Sequence, residues 1–261
     1  MINIKSDDDI KRMRESGHIT ATVLRELSGM ICEGIFVKDL DRHAEDMIKK
    51  MGAIPAFKNY RGYPATLNVS INEQVVHGIP GKRRIKDGDV VSIDMGVFLN
   101  GWCSDSALTV IAGTPNPKDE LLLKVTKESL FKGIEKCCVG LRLGDISNAV
   151  QTHVESNGFS VVRDLVGHGI GKALHEDPSV PNYGKAGMGP TLKKGFVVAV
   201  EPMVNTGGWQ VACLDDGWTV VTQDGLNSAH FEHTIAITER GPRILTLPLS
   251  ASESEEYPFS G

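Results

Sequence analysis

The segment "VVSIDMGVFLNGWCSDSALTV", which runs from Val90 to Val110, predicts two antiparallel strands joined by a tight turn at Asn100-Gly101. Each of these largely apolar strands carries one acidic residue, Asp94 on the first and Asp105 on the second. A charged carboxylate is costly to bury unless it has a partner. The segment therefore predicts a β-hairpin and raises the question of what neutralises its two acidic side chains.

The pairing of the two strands follows from a two-residue turn. Gly96 then faces Asp105, and Asp94 becomes a diagonal neighbour of Asp105, about 7–8 Å away between Cα atoms. Because side chains alternate along a strand, one face carries both carboxylates and the other face packs a core. The carboxylate face also holds the small residues Ser92, Gly96, Cys103 and Ala107, and the core face holds Val91, Ile93, Met95 and Leu108.

The composition restricts the class of protein. The net charge of −5 over 261 residues offers no general basic field for nucleic acid, and the run Lys82, Arg83, Arg84 and Lys86 is typical of a solvated turn. Five cysteines without CxxC spacing argue against a disulfide framework or a structural zinc site. The N-terminus is too polar for a signal peptide, and no apolar run approaches membrane-spanning length. The sequence predicts a soluble, cytoplasmic protein that binds neither DNA nor membrane.

The chain contains an internal duplication. "CEGIFVKDLDRHAEDMIKKMG" (32–52) matches "CVGLRLGDISNAVQTHVESNG" (138–158), and "KDGDVVSID" (86–94) matches "KKGFVVAVE" (193–201), at offsets of 106 and 107 residues. We expect a single domain, 1–261, built from halves at about 8–112 and 113–242, with an exposed C-terminal tail at about 250–261.

Each half begins with two predicted helices. The longer ones are expected at about 8–30 and 118–136. The shorter, matched helices are expected to have N-caps at Asp39 and Asp145 and terminating glycines at Gly52 and Gly158.

The second half supplies two more acidic strand residues. Glu201 ends an apolar strand before Pro202, which favours an extended backbone at Glu201. The alternating segment "AHFEHTIAIT" (229–238) predicts one strand, with Glu232 and His230 on one face and His233 on the other; we interpret both histidines as structural. Four carboxylates thus come from four strands, and none of these strands offers an adjacent Lys or Arg.

Four clustered carboxylates repel one another unless some are protonated or cations lie among them. Such a set suits two divalent ions about 3.5–4 Å apart. His168, between glycines in "VGHGIG", can add an imidazole, which shifts the preference toward Mn, Fe, Co or Zn. Taken singly, each residue has a simpler interpretation: Asp94 or Asp105 can cap a turn, Glu201 can pair with Lys194, and His168 can be a hydrogen-bonded loop histidine.

Six segments, in order, resemble the type I methionine aminopeptidases over about residues 10–242: "NEQVVHGIPG", "SIDMGVFLNGWCSD", "GHGIG", "HEDPSVPNYG", "EPMV" and "FEHT". The resemblance implies the α+β pita-bread fold, in which two pseudo-twofold-related halves pack helices on a central curved antiparallel sheet. It also implies a dinuclear metal-dependent enzyme that removes the initiator methionine from nascent proteins and peptides with a small second residue. In that family a metal-bound hydroxide attacks the scissile carbonyl.

The resemblance implies a role for each site residue. The implied metal ligands are Asp94, Asp105, His168, Glu201 and Glu232, with Asp94 on one ion, Asp105 and Glu232 on both, and His168 with Glu201 on the other. Glu201 is also the implied proton shuttle, His77 lies near the substrate amine and leaving group, and His175 hydrogen-bonds the scissile carbonyl. The implied cofactors are two divalent ions among Co, Mn, Fe(II), Zn and Ni, and one Na⁺ or K⁺ near Asn72, Gln74 and Ser228.

The implied methionine pocket is formed by Tyr60, Tyr63, His77 and Trp218. Phe57, Asn68 and Leu174 stand where bacterial relatives often have Cys, Cys and Phe, so the shape of the pocket is expected to differ. The implied partners are peptide or nascent-chain N-termini that begin with Met, with a transient contact to the ribosome and a monomeric enzyme.

Two other functions fit parts of the pattern. A prolidase or proline-specific aminopeptidase shares the metal ligands, but it usually carries an additional N-terminal domain, for which we expect no room before the first repeat. A non-catalytic relative would have lost the ligands, all five of which are present. The type II subfamily is disfavoured because no long insertion separates His168, Glu201 and Glu232.

Overall fold

A computed structural model describes residues 2–250, 252, 256 and 258. Its helices are α1 (Asp7–Met30), α2 (Val37–Lys50), α3 (Pro117–Glu135) and α4 (Leu143–Ser156). The strands of the first half are β1 (Ile54–Pro55), β2 (Asn68–Ile71), β3 (Gln74–Val76), β4 (Val90–Leu99) and β5 (Trp102–Ile111). Those of the second half are β6 (Ser160–Val161), β7 (Gly167–Gly169), β8 (Glu176–Val180), β9 (Val197–Val200), β10 (Met203–Asn205), β11 (Val211–Cys213), β12 (Val220–Thr222), β13 (Ser228–His230), β14 (His233–Thr238) and β15 (Gly241–Ile244).

The described strands pair antiparallel in two larger and two smaller sheets. In the first of the larger sheets, β4 pairs with β1, β2 and β5. In the second larger sheet, the strand order is β15-β14-β9-β7-β8. The smaller sheets have the orders β13-β10-β6 and β11-β12-β3. The matched segments of the two halves therefore supply β4 and β9, one at the centre of each larger sheet.

The β4–β5 hairpin has the predicted register. Leu99 pairs with Trp102 and Gly96 pairs with Asp105, as expected from a two-residue turn. The turn residues Asn100 and Gly101 have φ values of 50° and 80°. A type I′ turn requires a positive φ at both of these central positions. The predicted core residues Val91, Ile93 and Met95 are buried. Asp94 and Asp105 consequently share the opposite face of the hairpin.

Helix α1 holds this hairpin in place. Ser6 and Asp9 form a capping box at its N-terminus. In its interior, the buried Ser16 hydroxyl donates to the carbonyl of Val97 (2.7 Å) and lies 2.8 Å from Ser104 Oγ, so the helix is bonded to both strands. Apolar residues of α1 and α2 pack with those of β2 and β4 in one core, while α3 and α4 pack with β9, β14 and β15 in another.

The matched helices α2 and α4 begin earlier than the sequence predicts. Their N-caps are Phe36 and Arg142, so the expected caps Asp39 and Asp145 lie at the third helical position. Asp145 still serves the helix start, because its carboxylate accepts the backbone N–H of Arg142 at 2.7 Å. Gly52 and Gly158 follow the helix ends with φ of 74° and 80°, which confirms their predicted terminating role. The duplication and the single domain, 1–261, stay predictions.

The segment 229–238 does not form the predicted single strand. It divides into β13 and β14, which belong to different sheets. Between them the backbone N–H of Phe231 donates to Pro202 and that of Glu232 donates to Ala107 of β5. The chain thus changes sheets at Glu232, because this residue pairs with β5 rather than with the strand before it.

Most of the predicted exposed tail, about 250–261, lies outside the described residues. Ser250, Ser252 and Pro258 are exposed. Glu256 differs, because its carboxylate pairs with Arg14 at 2.9 Å and Arg243 at 2.8 Å and its side chain is only 16% exposed. Among the described residues, no helix has the length and apolar character needed to cross a membrane.

Candidate metal centre and adjoining pocket

The structure brings the five predicted ligands together. Donor atoms of Asp105, His168 and Glu232 all lie within 4.8 Å of one another. His168 Nε2 is 3.9 Å from Asp105 Oδ2 and 3.5 Å from an oxygen of Glu201. Asp94 occupies the diagonal position beside Asp105 on the β4–β5 hairpin. The cluster therefore draws on β4, β5, β7 and the residues that follow β9 and β13.

Hydroxyl side chains join the two halves at this point. Ser106 donates to the carbonyl of Glu232 at 2.6 Å, and Thr109 donates to that of His230 at 2.7 Å. From the other side, Thr234 Oγ1 accepts the N–H of Asp105 at 3.0 Å and donates to its carbonyl at 2.7 Å. These hydroxyls set the spacing of the carboxylates. Sequence reasoning missed them, although Ser106 and Thr109 lie within four residues of Asp105 on the same predicted strand.

The hydrogen bonds of His168 fix its tautomer. Its Nδ1 lies 2.9 Å from the carbonyl of Gly169, which can only accept, so Nδ1 carries the proton. Burial lowers the pKa of His168 to about 4, and the ring is therefore neutral at pH 7. The remaining nitrogen, Nε2, offers a lone pair toward Asp105 and Glu201, which is the arrangement that metal-binding histidines use.

The carboxylates are buried and partly unpartnered. Asp94 Oδ1, Asp105 Oδ1 and Glu232 Oε1 have no hydrogen-bond partner among the described residues. Burial raises the pKa of Asp94 to about 7, against hydrogen bonds that lower it. Burial, and then the charges of neighbouring carboxylates, raise the pKa values of Asp105, Glu201 and Glu232 well above their usual range. Oxygens buried in this way fit divalent cations, which supply the missing positive charge.

These pKa shifts predict how the metal-free protein responds to pH. A carboxyl group with a raised folded pKa contributes stability that is intact below its unfolded pKa, near 4, and is lost as pH rises through the folded value. Between pH 6.5 and 8.5 we expect the unfolding temperature of the chelator-treated protein to fall, and its difference from the Mn²⁺-loaded protein to widen. Buried histidines, whose folded pKa values are lowered, make the protein more stable as pH rises, but only below about pH 6.5. They therefore do not affect the trend in this range.

Differential scanning fluorimetry of both forms across this range measures the difference. The Asp119→Asn variant is the control, since Asp119 is a buried carboxylate bonded to Asn116 and Asn227 and lies outside the cluster. Its pH trend should match that of the unmodified protein. A metal-free unfolding temperature that stays constant or rises over the range would contradict the predicted shifts.

A cavity of about 300 Å³ adjoins the carboxylates. All of the predicted divalent ligands and all of the predicted pocket residues line it, namely Phe57, Tyr60, Tyr63, Asn68, His77, Leu174, His175 and Trp218. The Tyr63 and Trp218 rings meet edge to face with centroids 5.1 Å apart. His77 takes a left-handed conformation, with φ of 59°, that is uncommon outside glycine and is found in strained functional sites.

Asn68 contributes to the cluster as well as to the pocket. It pairs with Asp94 across β2 and β4, and its Nδ2 donates to Asp94 Oδ2 at 2.8 Å. This partner of Asp94 was not predictable from the hairpin, because β2 lies 26 residues earlier in the chain. Asp94 thus presents one oxygen to Asn68 and the unpartnered Oδ1 to the cluster.

The loop that carries His175 is held by a buried ion pair. Lys5 Nζ lies 2.7 Å from Glu176, and the two side chains are only 4% and 8% exposed. Glu176 also accepts the backbone N–H groups of Lys172 and Ala173 at 2.9 and 3.2 Å. At its tip, His175 Nδ1 lies 2.7 Å from the Tyr60 hydroxyl, and the His175 ring centroid is 4.2 Å from that of His168. The N-terminal segment therefore fixes a loop of the site.

Replacing Lys5 with methionine is expected to lower the free energy of unfolding by about 3 kcal/mol, because it leaves Glu176 buried with an uncompensated charge. Urea unfolding of both proteins gives the difference. Lys194→Met is the matched control: Lys194 pairs with Asp7 at 3.2 Å on an exposed surface, and such pairs contribute about 0–1 kcal/mol. Equal losses of unfolding free energy in the two variants would show that the buried pair stabilises the protein no more than the exposed pair does.

The residues predicted to hold a monovalent ion are adjacent. The N–H of Ser228 donates to the carbonyl of Asn72 at 2.9 Å, and Gln74 Oε1 accepts the N–H of Ile71. Asn72 has a left-handed backbone with φ of 60°. The monovalent site itself stays a prediction.

The chain matches metallopeptidase family M24 over residues 11–239. It is 55% identical to a methionine aminopeptidase of Clostridium perfringens over 247 residues, which are 95% of this chain and 99% of that protein. The crystal structure of a methionine aminopeptidase from Thermotoga maritima superposes with a TM-score of 0.93 at 47% identity, over 95% of this chain and all of that one. A prolidase from Pyrococcus horikoshii superposes with a TM-score of 0.77 at 24% identity, over 94% of this chain and 63% of that one.

The fold is that of the pita-bread metallopeptidases, as the resemblance implied. The chain belongs to metallopeptidase family M24 and, within it, to the methionine aminopeptidases. The prolidase likeness is too distant in sequence to show more than the shared fold.

Proposed function

We propose that this protein removes the initiator methionine from peptides and nascent chains whose second residue is small. The observation that carries the proposal is the set of buried carboxylate oxygens that lack a partner among the described residues, beside a cavity lined by aromatic and apolar side chains. The 55% identity to a methionine aminopeptidase over nearly the whole chain supports the same activity.

Two divalent cations fit the cluster. Asp94 would hold one ion and His168 with Glu201 the other, while Asp105 and Glu232 would contact both. The imidazole among the donors favours Mn, Fe(II), Co, Zn or Ni over Mg. When bound, such ions lower the pKa of water and polarise a carbonyl oxygen. The orphan oxygens Asp94 Oδ1, Asp105 Oδ1 and Glu232 Oε1 provide a specific observation in favour of this occupancy.

Glu201 is the proposed proton carrier. Its side chain lines the cavity and is partly exposed, at 13%, so it can reach both an attacking water and the departing amine. Its backbone carbonyl accepts the amide of Asn182 at 3.0 Å, which holds the residue at the end of β9. It would accept a proton from the water and return it to the amine nitrogen of the second residue.

His175 and His77 are the proposed hydrogen-bonding groups. If the Tyr60 hydroxyl donates to His175 Nδ1, the neutral ring keeps its proton on Nε2 and can donate it to the scissile carbonyl as negative charge develops there. His77 would contact the substrate amine and leaving group from the Trp218 side of the cavity, where its ring centroid is 6.4 Å from that of Trp218.

The methionine side chain would enter the aromatic end of the cavity. The Tyr63 hydroxyl lies 2.8 and 3.0 Å from the carbonyls of Leu67 and Gly78, so its ring, rather than its polar end, faces the ligand. Tyr63, Trp218, Phe57 and Leu174 offer the aromatic and apolar contacts that a thioether favours. A small second residue is expected because bulk there would meet the metal cluster.

The test compares two peptides on the Mn²⁺-, Fe²⁺- or Co²⁺-loaded enzyme under anaerobic conditions. Met-Ala-Ser should release methionine, and Ala-Pro-Ser should remain intact. Preferential cleavage of the X-Pro peptide would favour a prolidase instead, and no turnover of either peptide with any metal would favour a non-catalytic protein. The cytoplasmic location, the monomeric state, the transient ribosome contact and the Na⁺ or K⁺ site at Asn72, Gln74 and Ser228 stay predictions.

A further inference from the structure

His230 is a buried histidine that the proposed mechanism does not use. It is 2% exposed, and neither Nδ1 nor Nε2 has a hydrogen-bond partner among the described residues. Its side chain lines the cavity beside the carboxylates. Burying two polar nitrogens without partners is unfavourable unless the functional state of the protein gives one of them a partner.

The nearest candidate partner is Glu201. His230 Nε2 lies 3.8 Å from one carboxylate oxygen, Oε2, while His168 Nε2 lies 3.5 Å from the other oxygen, Oε1. Glu201 therefore stands between two imidazoles, one at each oxygen. The His168 ring directs its Nε2 lone pair toward Glu201 Oε1, because its proton is on Nδ1. The oxygen that faces His230 is free to accept a hydrogen bond.

The backbone of His230 is fixed, so only small movements are needed. Thr109 Oγ1 accepts the N–H of His230 at 2.9 Å and donates to its carbonyl at 2.7 Å, and His230 pairs with Met203 across β13 and β10. A rotation of the ring or the carboxylate that shortens the separation by less than about 1 Å brings it within hydrogen-bond range.

We propose that His230 is a positioning residue: its Nε2–H donates to Glu201 Oε2 and holds this carboxylate with its other oxygen directed at the ion shared with His168. The inference rests on the proposed dinuclear site and deepens it. Carboxylate ligands of metal ions are usually oriented by such hydrogen bonds, and loss of one typically costs 10–100-fold in metal affinity or activity.

The neighbouring His233 provides a matched control. It directly follows Glu232 at the start of β14, where it pairs with Val200, and its Nδ1 lies 2.8 Å from Thr246 Oγ1. Its ring packs against Phe131, with centroids 6.2 Å apart, and does not line the cavity. Replacing it removes a half-buried imidazole of the same segment without removing a group that faces Glu201.

The test titrates metal-free protein with Co²⁺ and follows both the affinity and the visible absorption of the bound ion. For His230→Leu we expect 10–100-fold weaker binding of one ion and an altered spectrum, because Glu201 loses its fixed orientation. His230→Gln keeps an N–H donor and should recover most of the affinity. His233→Gln should match the unmodified protein in both measurements.

Turnover of Met-Ala-Ser gives a second measure. In the fully loaded His230→Leu variant we expect kcat to fall 10–100-fold with KM nearly unchanged, since Glu201 acts on the proton and not on methionine binding. If His230→Leu does not fold, ¹⁵N NMR of the unmodified Zn²⁺-loaded protein still decides the matter. The proton of His230 should reside on Nε2.

Three outcomes would overturn the inference. They are unchanged Co²⁺ affinity and spectrum in His230→Leu, equal losses in the Leu and Gln variants, or a proton found on Nδ1 of His230. In each case the unmodified protein still binds two ions and cleaves Met-Ala-Ser, so the proposed function stands. An unmodified protein that binds no Co²⁺ would instead overturn the proposed function and this inference together.

Discussion

Replacing Asp105 with asparagine is expected to abolish both turnover and the binding of two divalent ions. Asp105 lies within 4.8 Å of the donor atoms of His168 and Glu232 and is the proposed contact to both ions. Asparagine keeps the shape but removes the charge. Because metal ions supply several kcal/mol of transition-state stabilisation, turnover should fall by at least about 10³-fold.

Metal content after anaerobic loading and dialysis, together with release of methionine from Met-Ala-Ser, measures both effects. Asp119→Asn serves as the control here too, because it removes the charge of a buried carboxylate at the start of α3, far from the cluster along the chain. That variant should keep its metal and its turnover. An Asp105→Asn enzyme with two bound ions and near-normal kcat would contradict the assigned role.

Replacing His175 with alanine is expected to leave the metal content intact and to lower kcat about 10²–10³-fold. The ring is held by Tyr60 at 2.7 Å and stands 4.2 Å from the His168 ring between centroids, so it can reach the carbonyl without being a ligand itself. Loss of a hydrogen bond made to the developing oxyanion typically has an effect of this size.

Steady-state kinetics and metal analysis on the same preparation separate these effects. His153→Ala is a suitable control, because His153 lies on α4 and contacts Glu128 at 3.1 Å, away from the cavity. It should behave as the unmodified enzyme. Unchanged kcat in His175→Ala would remove His175 from the mechanism, and loss of metal would show that it acts as a ligand.

The sequence was most informative where local rules determine structure. A two-residue Asn-Gly turn admits one strand register, so the diagonal placement of Asp94 and Asp105 was predictable from Val90–Val110 alone. Strand alternation and an internal repeat similarly pointed to Glu201 and Glu232. The geometry of the hairpin, the helix ends at Gly52 and Gly158 and the α+β class follow from such short-range constraints.

Features that depend on distant partners were not predictable in this way. Helices α2 and α4 begin earlier than predicted because their first backbone N–H groups bond distant carbonyls: Val37 donates to Arg83 at 3.0 Å and Leu143 donates to Pro190 at 3.1 Å. The break between β13 and β14 arises because Glu232 pairs with Ala107, about half the chain away. The contact of Asn68 with Asp94 and the buried Lys5–Glu176 pair also join residues that are distant in the chain, so they too were not predictable from the sequence.

The two histidines near Glu232 show the same limit. Alternation placed His230 and His233 on opposite faces but gave no reason to treat them differently. Only the folded chain shows that the His233 ring contacts Thr246, while both His230 nitrogens lack a hydrogen-bond partner among the described residues and Nε2 lies 3.8 Å from Glu201 Oε2.

Anomalous diffraction from crystals grown with Mn²⁺ tests directly whether the carboxylate cluster binds two ions. Two peaks about 3.5–4 Å apart, with Asp105 and Glu232 contacting both, are the expected result. The absence of any peak among these carboxylates, or a single ion that leaves Asp94 or His168 without a metal contact, would contradict a dinuclear site.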